Sequence, residues 1–118
     1  MRAQVFELCS DNFIHVLFQR YPKKAQAVIN DRVILISPIK STITYITALH
    51  ELGHFLSKRS LTTKDDLASE AYAWQWAQKT AILWTPVAER HKNTCLKQYL
   101  QVEGKPKANH IFWKVYTG

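Results

Sequence analysis

Apolar residues recur at helical spacing between residues 41 and 58, where Ile43, Ile46, Leu49, Leu52, Gly53 and Leu56 fall on most of one helix surface. This pattern predicts a largely buried helix, capped by Ser41 or Thr42 and running to about Lys58. A second helical stripe, Leu67, Ala73, Trp74, Ala77 and Ala81, follows an opening at 62–66, with Thr63 as its candidate cap. Thr85-Pro86 places a capping residue before a proline at the first helical position, which predicts a helix to about Val102. Gly104-Lys105-Pro106 then reads as a turn. Near the start, Phe13, Ile14, Leu17 and Phe18 suit a helix from Ser10 or Asp11 through Arg20, ended by Tyr21-Pro22. Residues 1–9 read as a short strand or an extended lead-in. The segments 24–29 and 32–37 read as two strands joined in a hairpin at Asn30-Asp31, with Pro38 stopping the second. Ile111-Phe112-Trp113-Lys114-Val115-Tyr116 reads as a final strand. The expected architecture is one α+β domain over residues 1–118, with a small sheet packed against the helix at 41–58 and against further helices.

Composition narrows the class. Hydrophobic residues make up 47% of the 118 and charged residues 21%, a globular rather than a disordered balance. A chain of this length buries about 65% of its unfolded surface, enough for one core. The longest aliphatic run, Val33-Ile34-Leu35-Ile36, is too short to span a bilayer. Glu7, Ser10, Asp11 and Asn12 interrupt any signal-like apolar segment, so a cytoplasmic protein is expected. Cys9 and Cys95 lack metal-binding spacing and are expected as free thiols.

The formal charge of +7 is uneven. Residues 1–49 carry six Lys/Arg against three acids, residues 50–84 four of each, and residues 85–118 six against two. The middle is neutral and the flanks are basic, which suits solubility or attraction to an acidic partner. No nucleic-acid motif accompanies this charge, so nucleic-acid binding stands only as an alternative.

The chemistry is concentrated in His50-Glu51-Leu52-Gly53-His54. On a helix, residues four apart differ by about 40° of rotation, so His50 and His54 project from one face and can share a metal ion. Glu51 lies about 100° from His50 and can reach a water at the edge of that face. Two imidazoles with an adjacent carboxylate form the zinc-peptidase arrangement, the carboxylate serving as general base. Gly53 costs about 1 kcal/mol against Ala in a helix interior, which implies close approach of another element.

A catalytic zinc normally takes three protein ligands. Glu70 lies on the apolar stripe of the next helix, where a carboxylate needs a partner, either a metal or a Lys or Arg. Asp65, Asp66, His91 and His110 are the other candidates for the third position. Both aspartates also suit a helix start, where capping and the helix dipole explain them. His91, His110, Tyr99 and Tyr116 are the candidates to stabilise an oxyanion. A peptide would lie extended across the metal, and the strand before the histidine helix is expected to belong to a sheet with a free edge along the cleft.

The strand-like Arg32–Pro38 run, the Thr47–His54 motif, and Glu70-Ala71 with Trp74 four residues after Glu70 together resemble the ImmA/IrrE-type metallopeptidases, gluzincin-like enzymes. The resemblance spans roughly residues 28–84. It implies a zincin-like fold, Zn²⁺ held by His50, His54 and Glu70, and Glu51 as catalytic base. It also implies a protein substrate, often a transcriptional or other DNA-binding regulator, and an origin in a phage or other mobile element. Two alternatives of other classes remain at this stage: a non-catalytic zinc-containing module, and a basic module that binds protein or nucleic acid.

Overall fold

The computed structural model describes residues 1–19 and 24–118. Its elements in chain order are α1 (Arg2–Asp11), β1 (His15–Phe18), β2 (Gln26–Val28), β3 (Val33–Ile36), α2 (Thr42–Leu56), α3 (Lys58–Thr62), α4 (Asp66–Thr80), α5 (Pro86–Glu103) and α6 (Phe112–Val115). It is an α+β fold in which a three-stranded sheet and helices α1, α3, α4 and α5 pack around α2, with α6 packed on α4.

The capping chemistry of the long helices follows the sequence. The Ser41 side chain accepts from the Thr44 N–H while Thr44 Oγ1 accepts from the Ser41 N–H, a reciprocal capping box that starts α2. Thr85 accepts from the Ala88 N–H, with Pro86 following as the first helical residue of α5. That helix ends at Gly104, whose φ of 84° is the left-handed region that glycine enters without steric cost. α4 is capped two residues later than expected. Asp65, not Thr63, accepts from the Ala68 N–H, and Thr63 Oγ1 instead accepts from the Asp65 N–H.

Three expected elements differ. Residues 2–11 are helical where a strand or extended lead-in was expected. The helix expected from Ser10 or Asp11 is replaced by the turn that ends α1 and by strand β1; the positions expected at its end, Arg20 and Tyr21-Pro22, lie outside the described residues. Phe13 sits at φ 56°, a conformation no helix continues through, and the guanidinium of Arg32 donates to the Asn12 and Phe13 carbonyls. Pairing of His15–Phe18 with β3 overrides a pattern that periodicity alone read as helix. At the other end, 112–115 form the short helix α6 rather than a strand. Phe112 and Tyr116, four apart, stack at 5.0 Å between ring centroids, which only a helical turn brings together. The helix expected to reach Lys58 ends at Leu56, and Ser57 caps a further short helix, α3.

The sheet order is β1-β3-β2. β1 runs parallel to β3 with His15 opposite Val33, and β2 runs antiparallel to β3 with Val28 opposite Val33. The hairpin expected at Asn30-Asp31 is present, closed by the Arg32 N–H donating to the Ile29 carbonyl. β3 is the central strand, and Ile34 and Ile36 point into the core. α2 fills the middle of the molecule with Tyr45, Ile46, Ala48, Leu49 and Leu52 fully buried. The Tyr45 hydroxyl donates to Gln4 and accepts from the Ile82 N–H, tying α1 and the α4–α5 connection to this helix. α4 crosses α2 so closely that a Cβ on Gly53 would stand 2.5 Å from the Ala73 carbonyl oxygen. The close approach expected at Gly53 is therefore its contact with α4. No helix among the described residues is long and apolar enough to cross a membrane.

Candidate metal centre

α2 carries His50, Glu51 and His54, and the crossing of α4 over Gly53 brings Glu70 onto them. His50 Nε2 lies 2.9 Å from Glu70 Oε1, and His54 Nε2 lies 2.7 Å from Glu70 Oε2. One carboxylate thus faces both imidazoles. Glu51 Oε2 stands 3.3 Å from His50 Nδ1. The side chains of His50, Glu51 and His54 offer ligand atoms within 4.8 Å of one another and can hold a metal ion. His50, Glu51 and Glu70 are buried.

Buried charge of this density shifts ionisation. Burial acts to lower the His50 pKa, but its hydrogen bonds to Glu51 and Glu70, and their charges, raise it to about 9. Burial acts to raise the Glu70 pKa, but hydrogen bonds from His50 and His54 hold it well below the usual carboxylate range. Trp74, one turn after Glu70, lies flat against the His50 ring, with centroids 4.2 Å apart and an interplanar angle of 10°. Its indole N–H is buried without a hydrogen-bond partner. Serines orient the other imidazole. His54 Nδ1 lies 3.2 Å from Ser60 Oγ, which donates to the Ser69 carbonyl at 2.8 Å.

The residues fit a metal on two grounds. A carboxylate buried on an apolar stripe demands a cationic partner, and the partners of Glu70 are these two imidazoles rather than a Lys or Arg. The donor set, two imidazole nitrogens and one carboxylate, suits Zn²⁺. Ligand atoms on a tetrahedral zinc stand about 3.3 Å apart. The observed separations of 2.9 and 2.7 Å are those of charge-assisted hydrogen bonds.

The other candidates sort by position. Asp65 caps α4 and pairs with His110, whose Nε2 lies 2.8 Å away, so both are engaged outside the site. Asp66 is exposed in the first turn of α4. Tyr116 stacks on Phe112. His91 and Tyr99, both on α5, line the same cavity as His50, His54 and Glu70. His91 Nε2 sits 3.4 Å from Thr47 Oγ1 and 3.6 Å from Cys95 Sγ, and its pKa is lowered by burial and by the charge of His50. Cys9 and Cys95 are free, as expected. Burial pushes the Cys95 thiol up to about 11, so it is protonated at neutral pH and is no nucleophile beside His91.

Two cavities meet at the site. One, of about 390 Å³, has Ile36, Ile43, Trp74 and Cys95 in its walls. The other, of about 590 Å³, runs past Ser60, Thr63 and Ser69 and along Gln26 and Ala27 of β2. Lys24, Ala25, Glu51, His54, Glu70 and Tyr99 belong to both, so one cleft passes over the histidines with an apolar end and a hydroxyl-lined end. The strand expected beside the site, β3, has both edges paired. Among the described residues the free edge along the cleft belongs to β2.

The Ser60–Ser69 pair and the stacking of Trp74 on His50 were not foreseen. Ser60 carries no local signal, since its contact with His54 depends on how α3 folds back. Trp74 was visible as an apolar position on the Glu70 helix, but its stacking partner was not. Comparison with protein-family models, with curated proteins and with solved structures returned no significant match.

Proposed function

We propose that this protein is a zinc-dependent metallopeptidase of the ImmA/IrrE type, with His50, His54 and Glu70 as metal ligands and Glu51 as general base. The observation that carries the reading is the convergence of both imidazole Nε2 atoms on one buried carboxylate, at 2.9 and 2.7 Å, with Glu51 beside them and an open cleft above. A structural zinc site is closed by a fourth protein ligand, whereas a site on a cleft leaves room for water and substrate.

Zinc held by His50, His54 and Glu70 would supply Lewis acidity at this end of the cleft. Glu51 is placed to accept the proton of a water as the water oxygen attacks the scissile carbonyl carbon. Glu51 then gives the proton to the leaving amine nitrogen as the C–N bond breaks. Of the candidates to stabilise the oxyanion, His91 and Tyr99 are the two that line the cavity with His50, His54 and Glu70. The free edge of β2 can pair with an extended peptide, giving affinity from backbone hydrogen bonds with little sequence preference. The substrate in this reading is a cytoplasmic protein, such as a DNA-binding regulator of a mobile element, with the basic flanks available for docking.

Zinc content and peptide hydrolysis test this together. Wild-type protein is expected to carry one zinc and to cleave peptides in a proteome-derived library read by mass spectrometry. Glu51→Gln should keep zinc but lose cleavage by at least about a hundredfold, because an amide cannot accept the proton. Glu70→Ala should weaken zinc binding itself. Cleavage that survives Glu51→Gln, or a wild-type protein that binds no divalent metal, overturns the reading.

A further inference from the structure

We propose that Ser60, on the short helix α3, is a positioning residue for the metal centre: its hydroxyl relays His54 Nδ1–H to the Ser69 backbone carbonyl and so presents His54 Nε2 as the metal-binding atom. This inference rests on the zinc reading of the site.

The argument starts from what each atom can do. The Ser69 carbonyl oxygen can only accept, and Ser60 Oγ lies 2.8 Å from it, closer than the 3.2 Å to His54 Nδ1. A serine hydroxyl has one proton. With that proton committed to the carbonyl, Ser60 Oγ faces His54 with a lone pair and must accept. Nδ1 then carries a proton, and Nε2, which donates to Glu70 in the metal-free fold, is the nitrogen left to bind a metal once its proton leaves. Ser69 Oγ, 3.1 Å from Ser60 Oγ and 3.4 Å from His54 Nδ1, is the more distant of the two hydroxyls. Its contribution to the relay is the backbone oxygen.

Ser60 itself is 4% exposed, so its hydroxyl is committed to these partners. The local chain explains why a serine can sit there. Ser57 ends α2 and caps α3, accepting from the Ser60 N–H, and this turns Ser60 back toward the α2 residue His54. α3 thereby orients a ligand that α2 carries. The arrangement is asymmetric, since His50 is held by the Trp74 ring and by Glu51 instead. Partners of metal-bound imidazoles typically contribute 10–100-fold in metal affinity.

The test uses Zn²⁺ alone, competed against a chelator, on the full chain. Ser60→Ala is expected to weaken the zinc affinity of the folded protein about 10–100-fold, a larger loss than the fall in metal-free stability read from urea midpoints. In ¹⁵N-histidine NMR spectra of the zinc-loaded protein, His54 should show a slowly exchanging Nδ1 proton that is lost in Ser60→Ala. Wild-type affinity in Ser60→Ala overturns the proposal. So does an affinity loss matched by an equal loss of metal-free stability, because that marks a packing role alone. If wild-type protein binds no zinc at all, it is the underlying metal reading that fails.

Discussion

Gly53 lies one residue before His54, and a Cβ built on it would meet the Ala73 carbonyl oxygen at 2.5 Å and Ala73 Cα at 3.0 Å. Two effects oppose each other there. Alanine is favoured over glycine inside a helix by about 1 kcal/mol. Overpacking typically costs about 1–3 kcal/mol, and here the obstacle is backbone that cannot swing aside. Sterics should win, so Gly53→Ala is expected to destabilise the metal-free protein by up to about 2 kcal/mol in urea unfolding. Because α4 carries Glu70, the same substitution should also weaken zinc binding. A more stable Gly53→Ala variant would show that α2 and α4 do not approach this closely. The relation of His50, Glu51 and His54 was legible because all three lie on one helix, where spacing dictates direction. Glu70 was legible as a buried charge in search of a partner. Ser60 was not, because its relation to His54 arises from a reversal of the chain at Ser57 that no periodic pattern encodes.

At the level of elements, the helices bounded by side-chain caps were the readable ones. Ser41 and Thr85 each satisfy orphan N–H groups by contacts within three residues, so sequence order alone specifies them. Residues 13–18 and 111–116 misled for the same reason as each other. Short apolar runs fit either period, and the decision came from partners distant in sequence, β3 for the first and the packing of Phe112 and Tyr116 for the second. Asp65 links an element's start to its surroundings, capping α4 while pairing with His110. Its pKa is lowered, chiefly by the hydrogen bond from His110. A depressed carboxylate stabilises the fold above its unfolded pKa of about 3.9, and that contribution disappears as pH falls through the folded value. Asp65→Asn keeps a capping side chain but cannot ionise. Wild type should therefore lose stability relative to Asp65→Asn between about pH 5 and pH 2, read from urea midpoints. Parallel pH profiles for the two proteins would mean that the His110 contact contributes nothing to folding.

The whole molecule is a frame that brings two carboxylates and two imidazoles together inside an apolar core, and its stability should depend on what compensates them. In the metal-free protein the compensation is a proton, since His50 is raised to about 9 against an unfolded value near 6.5. A raised histidine contributes stability that is complete below about pH 6.5 and is lost as pH climbs through about 9. In the proposed zinc site the metal would compete with that proton for the imidazole nitrogen, so zinc affinity should rise over the same interval. These are one proton competition seen from two sides, and it should widen the stability gap between zinc-loaded and metal-free protein with increasing pH. At a free zinc concentration a hundredfold above Kd the gap is about 2.7 kcal/mol, roughly 10 °C in melting temperature for a domain of this size. Thermal melts with zinc and with a chelator at pH 6, 7, 8 and 9 should therefore diverge steadily, mostly through a falling metal-free Tm. A gap that stays constant or narrows above pH 7 would mean that His50 is neutral in the metal-free fold, and that the two glutamates do not hold a proton on it.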